Sequence, residues 1–185
     1  MNLPNRLSLT RVLLVPVIVI LLSLDADVCR YLAAAVFLLG SLTDYFDGQI
    51  ARKRHLITDF GRFIDPLADK LLVLSTLIML SVRGLVPGAL TVLILARELA
   101  VDGLRMIVSG KGTVIAAAKA GKIKTASQMV YILVMLLVNL PALSHPVLLI
   151  LTLWIAVITL YSGYEYFRDY GKALLDDAGR KEEHS

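Results

Sequence analysis

DYFDGQIARKRHLITDFGRFIDPLAD, residues 44–69, decides the reading of this chain. It sets Asp44, Asp47, Gly48, Ala51, Arg52, Gly61, Asp65 and Asp69 in one pattern, Asp-x2-Asp-Gly-x2-Ala-Arg-x8-Gly-x3-Asp-x3-Asp. Residues three and four apart share a helix face. Asp44, Asp47, Gly48 and Ala51 therefore form one stripe, and Gly61, Asp65 and Asp69 another. Two such stripes facing each other crowd four carboxylates into a small volume, where they cannot all stay ionised without cations between them. Hard divalent ions with oxygen ligands, Mg2+ or Mn2+, suit that set. Paired ions about 4 Å apart are a recurrent clamp on a phosphoryl group during in-line displacement.

The rest of the chain is built for a bilayer. Of its 185 residues 57% are hydrophobic, and the mean hydropathy is +0.75. Apolar runs recur at 12–24, 31–42, 71–82, 89–96, 129–140 and 147–161. A crossing of roughly 30 Å takes about 20 residues, so several runs must take flanking polar residues into the membrane. Ionisable residues there are costly and mark functional sites by default. The expectation is an all-α integral membrane protein of six transmembrane helices, one domain over residues 1–185. A short interfacial segment (1–11) precedes the helices and a solvated tail (170–185) follows them. A simple helix start is the alternative for the first residues. No cleavable signal peptide is expected after Leu24. The single cysteine, Cys29, leaves no intrachain disulfide or multi-cysteine metal site.

Charge placement gives the topology. With a cytoplasmic N-terminus, fifteen of the nineteen Lys and Arg fall on inside segments, and only Arg30 and Arg83 on outside loops. The positive-inside rule then puts both termini and all four aspartates on the cytoplasmic side.

Small residues beside the carboxylates, Gly48, Ala51 and Gly61, let a bulky ligand such as a nucleotide approach the backbone; tight helix packing is their alternative role. Arg52 is placed to pair with a phosphate, or is a loop charge like Lys53 and Arg54. Asp65-Pro66 alone reads equally as a helix start, with Asp at the N-cap and Pro at N1; that explains neither Asp69 nor the first pair. A second cluster comprises Arg97, Glu98, Asp102 and Arg105, followed by Lys119, Lys122 and Lys124. Arginines and lysines gathered beside a metal pair bind an anionic second substrate, most simply a phosphate. The alternatives are pairing of Arg97 with Glu98 or Asp102, and positive-inside loop charges for the lysines. Lys70 either snorkels or balances the carboxylates. His55, His145 and His184 are given no chemistry. Trp154, Tyr161, Tyr164, Tyr166 and Tyr170 read as interface anchors.

The aspartate pattern matches without departure the motif of the CDP-alcohol phosphatidyltransferase family. The chain also resembles the bacterial members that use glycerol 3-phosphate, through NLPNRLSLTR (2–11), DPLADKLL (65–72), ARELAVDGLR (96–105) and GKIKTASQM (121–129). That resemblance implies six transmembrane helices, a homodimer, and a site open to the cytoplasmic leaflet of the bacterial inner membrane. It implies two divalent cations on Asp44, Asp47, Asp65 and Asp69, with Asp69 as general base. The nucleotide of CDP-diacylglycerol would rest on Asp47, Gly48, Ala51, Arg52, Thr58 and Gly61. Arg97, Arg105, Lys122 and Lys124 would hold the phosphate of sn-glycerol 3-phosphate. Membrane lipids are implied partners and nucleic acid is not.

Cardiolipin, phosphatidylinositol phosphate and phosphatidylserine synthases share the motif, and the residues alone specify only a small anionic acceptor. A cation transporter is the alternative of another class; its acids would extend across the bundle rather than collect at one end. An aspartate-rich prenyltransferase lacks the Asp-Gly-x2-Ala-Arg element.

Overall fold

The computed structural model describes the backbone of residues 3–54, 59–110, 119–138 and 145–171, and the side chains of 8–43, 64–108, 119–138 and 146–171. Among these residues the chain forms six helices and short turns, with no strand: α1 (Leu3–Ser23), α2 (Asp27–Arg54), α3 (Asp59–Val82), α4 (Gly88–Gly110), α5 (Lys119–Leu137) and α6 (His145–Tyr170). The shortest has 19 residues and the longest 28. At about 1.5 Å per residue each is of bilayer length.

Beside an apolar core, many large apolar side chains lie on the surface and several polar ones are buried. Leu13, Ile20, Leu39, Val82, Val92, Met106, Ile150 and Leu160 face outward, while Ser8, Arg11, Thr76, Lys124, Gln128, Thr159 and Ser162 are buried. Apolar surface on that scale calls for a non-aqueous neighbour. Two helices among the described residues are long and apolar enough to cross a membrane, Lys119–Leu137 and Pro146–Tyr170; the apolar part of α1, Ser8–Ser23, is shorter. α3 carries Asp65, Asp69 and Lys70, and α4 carries Arg97, Glu98, Asp102 and Arg105, so composition alone does not mark them as crossings.

The molecule divides into two compact units. The first comprises Met1–Gly88 and Ile132–Leu143. In it α1 packs against both α2 and α3, around Ile18, Leu22, Ala33, Ala34, Phe37, Leu72 and Leu77. Gly40 lets α2 come close to α3, since a Cβ there would stand 2.7 Å from Leu72 Cδ2. At the far end of α3, Gly84 takes φ +69°. Its N–H donates to the Ser81 carbonyl and that of Leu85 to the Leu80 carbonyl, both at 2.9 Å. This paired arrangement ends a helix on a left-handed residue, which glycine supplies without a Cβ penalty. Arg83 then reaches Asp25 at 2.8 Å and the Leu24 carbonyl at 3.3 Å, tying this end of α3 to the α1–α2 turn. Arg30 and Arg83, the two basic residues expected on outside loops, thus both lie near that turn.

The second unit comprises Ala89–Tyr131 and Ser144–Ser185. Val101, Leu104 and Val108 of α4 pack with Tyr166 of α6, and Tyr170 lies against them. α5 and α6 are joined by Tyr131 Oη to Thr152 Oγ1 at 3.2 Å and by Trp154 Nε1 donating to Ser127 Oγ at 3.3 Å.

Candidate active site in two clusters

The acidic cluster belongs to α2 and α3. Asp44, Asp47, Gly48, Ala51 and Arg52 fall in the last turns of α2, and Gly61 in the first turn of α3. Their side chains lie outside the described residues, as do all of Thr58 and the side chains of His55, His145 and His184. Among the described residues no three acidic, histidine or cysteine side chains gather.

Asp65 and Asp69 are one turn apart on α3 and half-buried, with Ala68 fully buried between them. The helix starts at Asp59, and Pro66 lies inside it. Asp65 is therefore no N-cap, and the helix-start reading of Asp65-Pro66 is overturned.

What holds Asp65 comes from α1. Ser8 Oγ donates a hydrogen bond to Asp65 Oδ1, and Arg11 Nη2 donates to Ser8 Oγ at 3.4 Å. Ser8 and Arg11 are both wholly buried. α1 is continuous from Leu3, so residues expected at an interface form one helix with the rest of α1. Burying a guanidinium is costly unless hydrogen bonds or charges compensate; the relay from Arg11 through Ser8 to a carboxylate serves that end. The donor set of α3, hard oxygens at helical spacing with one carboxylate already oriented, fits a divalent cation. Ser8→Ala is expected to weaken Mn2+ binding about tenfold, read by electron paramagnetic resonance of the free ion, with Ser8→Thr retaining most of the affinity. Unchanged Mn2+ affinity in Ser8→Ala would remove Ser8 from this role.

The cationic cluster belongs to the second unit. Arg97 Nη1 pairs with Glu98 Oε1 at 3.0 Å, and Lys124 Nζ pairs with the same oxygen. Arg97 Nη2 donates to Ser162 Oγ at 2.5 Å. Arg105 Nη2 donates to Tyr166 Oη. The Tyr166 ring also lies 5.4 Å from Arg97 Cζ and 5.0 Å from Arg105 Cζ, so one aromatic ring holds both guanidinia by cation–π attraction. Two glycines border the cluster: Gly121 lies against Tyr166 and Ser162, and Gly163 against Arg97.

Arg97, Arg105 and Lys124 are thus gathered. Lys122 is not among them; it is exposed, because residues two apart on a helix point to opposite sides. Both alternatives for Arg97 turn out compatible, since it pairs with Glu98 and still belongs to the cluster. Three cations share Glu98 and a neutral phenol in these contacts, and the buried Nε atoms of Arg97 and Arg105 have no hydrogen-bond partner. Unspent donors on fixed guanidinia are what an incoming phosphate requires.

Tyr166 corrects the sequence reading. It is 2% exposed, whereas Tyr161 and Tyr164 are more than half exposed. Ser8, Arg11, Tyr166 and Ser162 were not expected in either cluster. Arg11 left a signal, a cation followed directly by an uncharged apolar run and three residues after a serine, and Ser162 and Tyr166 left a weaker one, a four-residue interval in an apolar helix.

The family model described as CDP-alcohol phosphatidyltransferase matches residues 1–161. A protein of Bacillus subtilis (strain 168) named CDP-diacylglycerol–glycerol-3-phosphate 3-phosphatidyltransferase is 42% identical over 188 residues, covering 94% of this chain and 97% of its own. One of that name from Rickettsia typhi is 39% identical over 90% of this chain and 96% of its own. Another, from Pseudomonas fluorescens, is 36% identical over 98% and 96%.

Proposed function

Since the chain belongs to the CDP-alcohol phosphatidyltransferase family, we propose that it transfers the phosphatidyl group of CDP-diacylglycerol to the 1-hydroxyl of sn-glycerol 3-phosphate, giving phosphatidylglycerophosphate and CMP. The observation that carries this reading is the co-occurrence, in one chain, of the complete aspartate motif and a separate cluster of Arg97, Arg105 and Lys124 in which each arginine keeps an unpartnered Nε. The names of relatives that align over nearly their whole length support the acceptor.

Asp44, Asp47, Asp65 and Asp69 would hold two divalent cations, Mg2+ or Mn2+. Bound there, the ions would supply neutralising charge for the diphosphate and for departing CMP. The cytidine nucleotide rests along Asp47, Gly48, Ala51, Arg52, Thr58 and Gly61, where small side chains admit it to the backbone. Asp69 accepts the proton of the attacking hydroxyl. Ser8 keeps Asp65 from rotating. Arg97, Arg105 and Lys124 take the acceptor's phosphate, with Lys122 as an outer contact, and Tyr166 holds the two guanidinia in place.

One substrate carries two acyl chains and the other is a dianion in water, so the reaction belongs at a membrane surface. All six helices cross the bilayer in this reading, with both termini and the site on the cytoplasmic face of a bacterial inner membrane. The working unit is a homodimer. The outward apolar side chains and the inside excess of Lys and Arg support that placement.

The test is direct. Purified protein with Mg2+ or Mn2+ and labelled CDP-diacylglycerol is offered glycerol 3-phosphate, inositol phosphate, serine or phosphatidylglycerol. CMP release with glycerol 3-phosphate alone is the expected result. Turnover with a different alcohol, or cation flux in liposomes without CMP release, would replace this reading.

A further inference from the structure

Helical hydroxyls in this protein commonly satisfy themselves on the carbonyl one turn back: Ser41 on Phe37, Thr43 on Leu39, Thr76 on Leu72 and Thr125 on Gly121. Thr159 does not. It is fully buried, and its Oγ1 has no hydrogen-bond partner. Gln128 is 2% exposed, and neither its amide nitrogen nor its amide oxygen has one. Leaving such groups unpaired in an apolar interior is costly, and both belong to the second unit.

Their position relates them to the cations. Gln128 lies one turn beyond Lys124 on the buried face of α5, and Thr159 one turn before Ser162 on the buried face of α6. Lys124 is bonded to Glu98 and Ser162 to Arg97, neighbouring residues of α4. Gly121 lies against Tyr166 and Ser162, while Ser127 meets Trp154 and Tyr131 meets Thr152. α5 and α6 are therefore antiparallel, the steps from Lys124 to Gln128 and from Ser162 to Thr159 lead the same way, and this register sets Thr159 near the level of Lys124 with Gln128 about one turn beyond. Each step is about 4.5–6 Å along the helix axis, comparable to the distance from a phosphate group to a hydroxyl on the adjoining carbons.

The chemistry of the two groups differs from that of the cluster beside them. Guanidinium and ammonium groups only donate, and select an anion. A primary amide both donates and accepts, as does a threonine hydroxyl, and that pairing matches an alcohol. We propose that Gln128 and Thr159 form a hydroxyl-recognition subsite that holds the 2-hydroxyl of the acceptor's polyol while the neighbouring cations hold its phosphate. The inference rests on the glycerol 3-phosphate reading given above and adds to it how the acceptor's carbon chain is recognised. Holding the non-reacting hydroxyl leaves the 1-hydroxyl as the nucleophile.

The test compares sn-glycerol 3-phosphate with 3-hydroxypropyl phosphate, which keeps the phosphate and a primary alcohol and lacks the 2-hydroxyl. Wild-type protein is expected to lose about ten- to hundredfold in kcat/KM with the analogue, because its buried polar groups are then unpaired. Gln128→Leu should shrink that ratio to within about threefold and Thr159→Val should shrink it part of the way, with the KM for CDP-diacylglycerol unchanged in both. Should Gln128→Leu prove inactive, Thr159→Val decides. Equal use of both acceptors by wild-type protein would overturn the subsite, as would an undiminished ratio in the active variants, and the proposed reaction would stand. Turnover of neither acceptor, with another alcohol consumed, would instead defeat the reaction assignment.

Discussion

Asp69→Asn is expected to lower turnover by about a thousandfold or more while CDP-diacylglycerol still binds measurably. A positioned general base contributes about 10²- to 10⁴-fold, and Asp69 is additionally expected to share in holding the cations. Asparagine keeps the side chain's size and a metal-ligating oxygen but cannot accept the hydroxyl proton. Asp69 is one turn from Asp65 and half-buried, whereas Ala68 beside it is fully buried. Rates of CMP release set against binding of a labelled lipid nucleotide separate the two effects. Near wild-type turnover would remove Asp69 from the base role.

Arg105→Ala is expected to raise the KM for glycerol 3-phosphate about ten- to hundredfold, with kcat much less affected. A charge-assisted hydrogen bond to phosphate is worth about 1.5–3 kcal/mol, and each 1.4 kcal/mol is tenfold in affinity. Arg105 donates to Tyr166 Oη, lies over its ring and keeps a free Nε donor. The phenol is its anchor, so Tyr166→Phe should shift KM in the same direction by a smaller factor, since the ring contact survives. The measurement is initial rate against glycerol 3-phosphate at saturating CDP-diacylglycerol. Loss confined to lipid-nucleotide binding would show that the cationic cluster serves a different ligand.

Much of this was legible from spacing alone. The six helices follow from apolar runs, and the grouping of Asp65 with Asp69 follows from a four-residue interval that any helix turns into a shared face. Arg97 and Arg105, eight apart, fall on roughly one helix face for the same reason. The identity of what holds these residues was not legible. Ser8 meets Asp65 and Arg105 meets Tyr166 across more than fifty residues of sequence, and such pairs are decided by packing, which leaves no period in the chain. Arg11 resembled a topological charge until α1 was seen to bury it. Tyr166 shared the composition of its exposed neighbours Tyr161 and Tyr164, and only the three- and four-residue spacing of Thr159, Ser162 and Tyr166 marks it as the tyrosine that turns inward. The two uncharged groups beside the cations, Gln128 and Thr159, were silent for a related reason: a lone amide or hydroxyl in an apolar run acquires meaning only when its neighbours fail to satisfy it.

The acidic cluster carries the central claim, that carboxylates from α2 and α3 coexist because divalent cations bridge them. Anomalous diffraction from crystals grown with Mn2+ tests it most directly. Two peaks within ligand distance of Asp44, Asp47, Asp65 and Asp69, both lost in Asp44→Asn crystals, are predicted. Catalytically competent crystals without an anomalous peak among those four residues would contradict it.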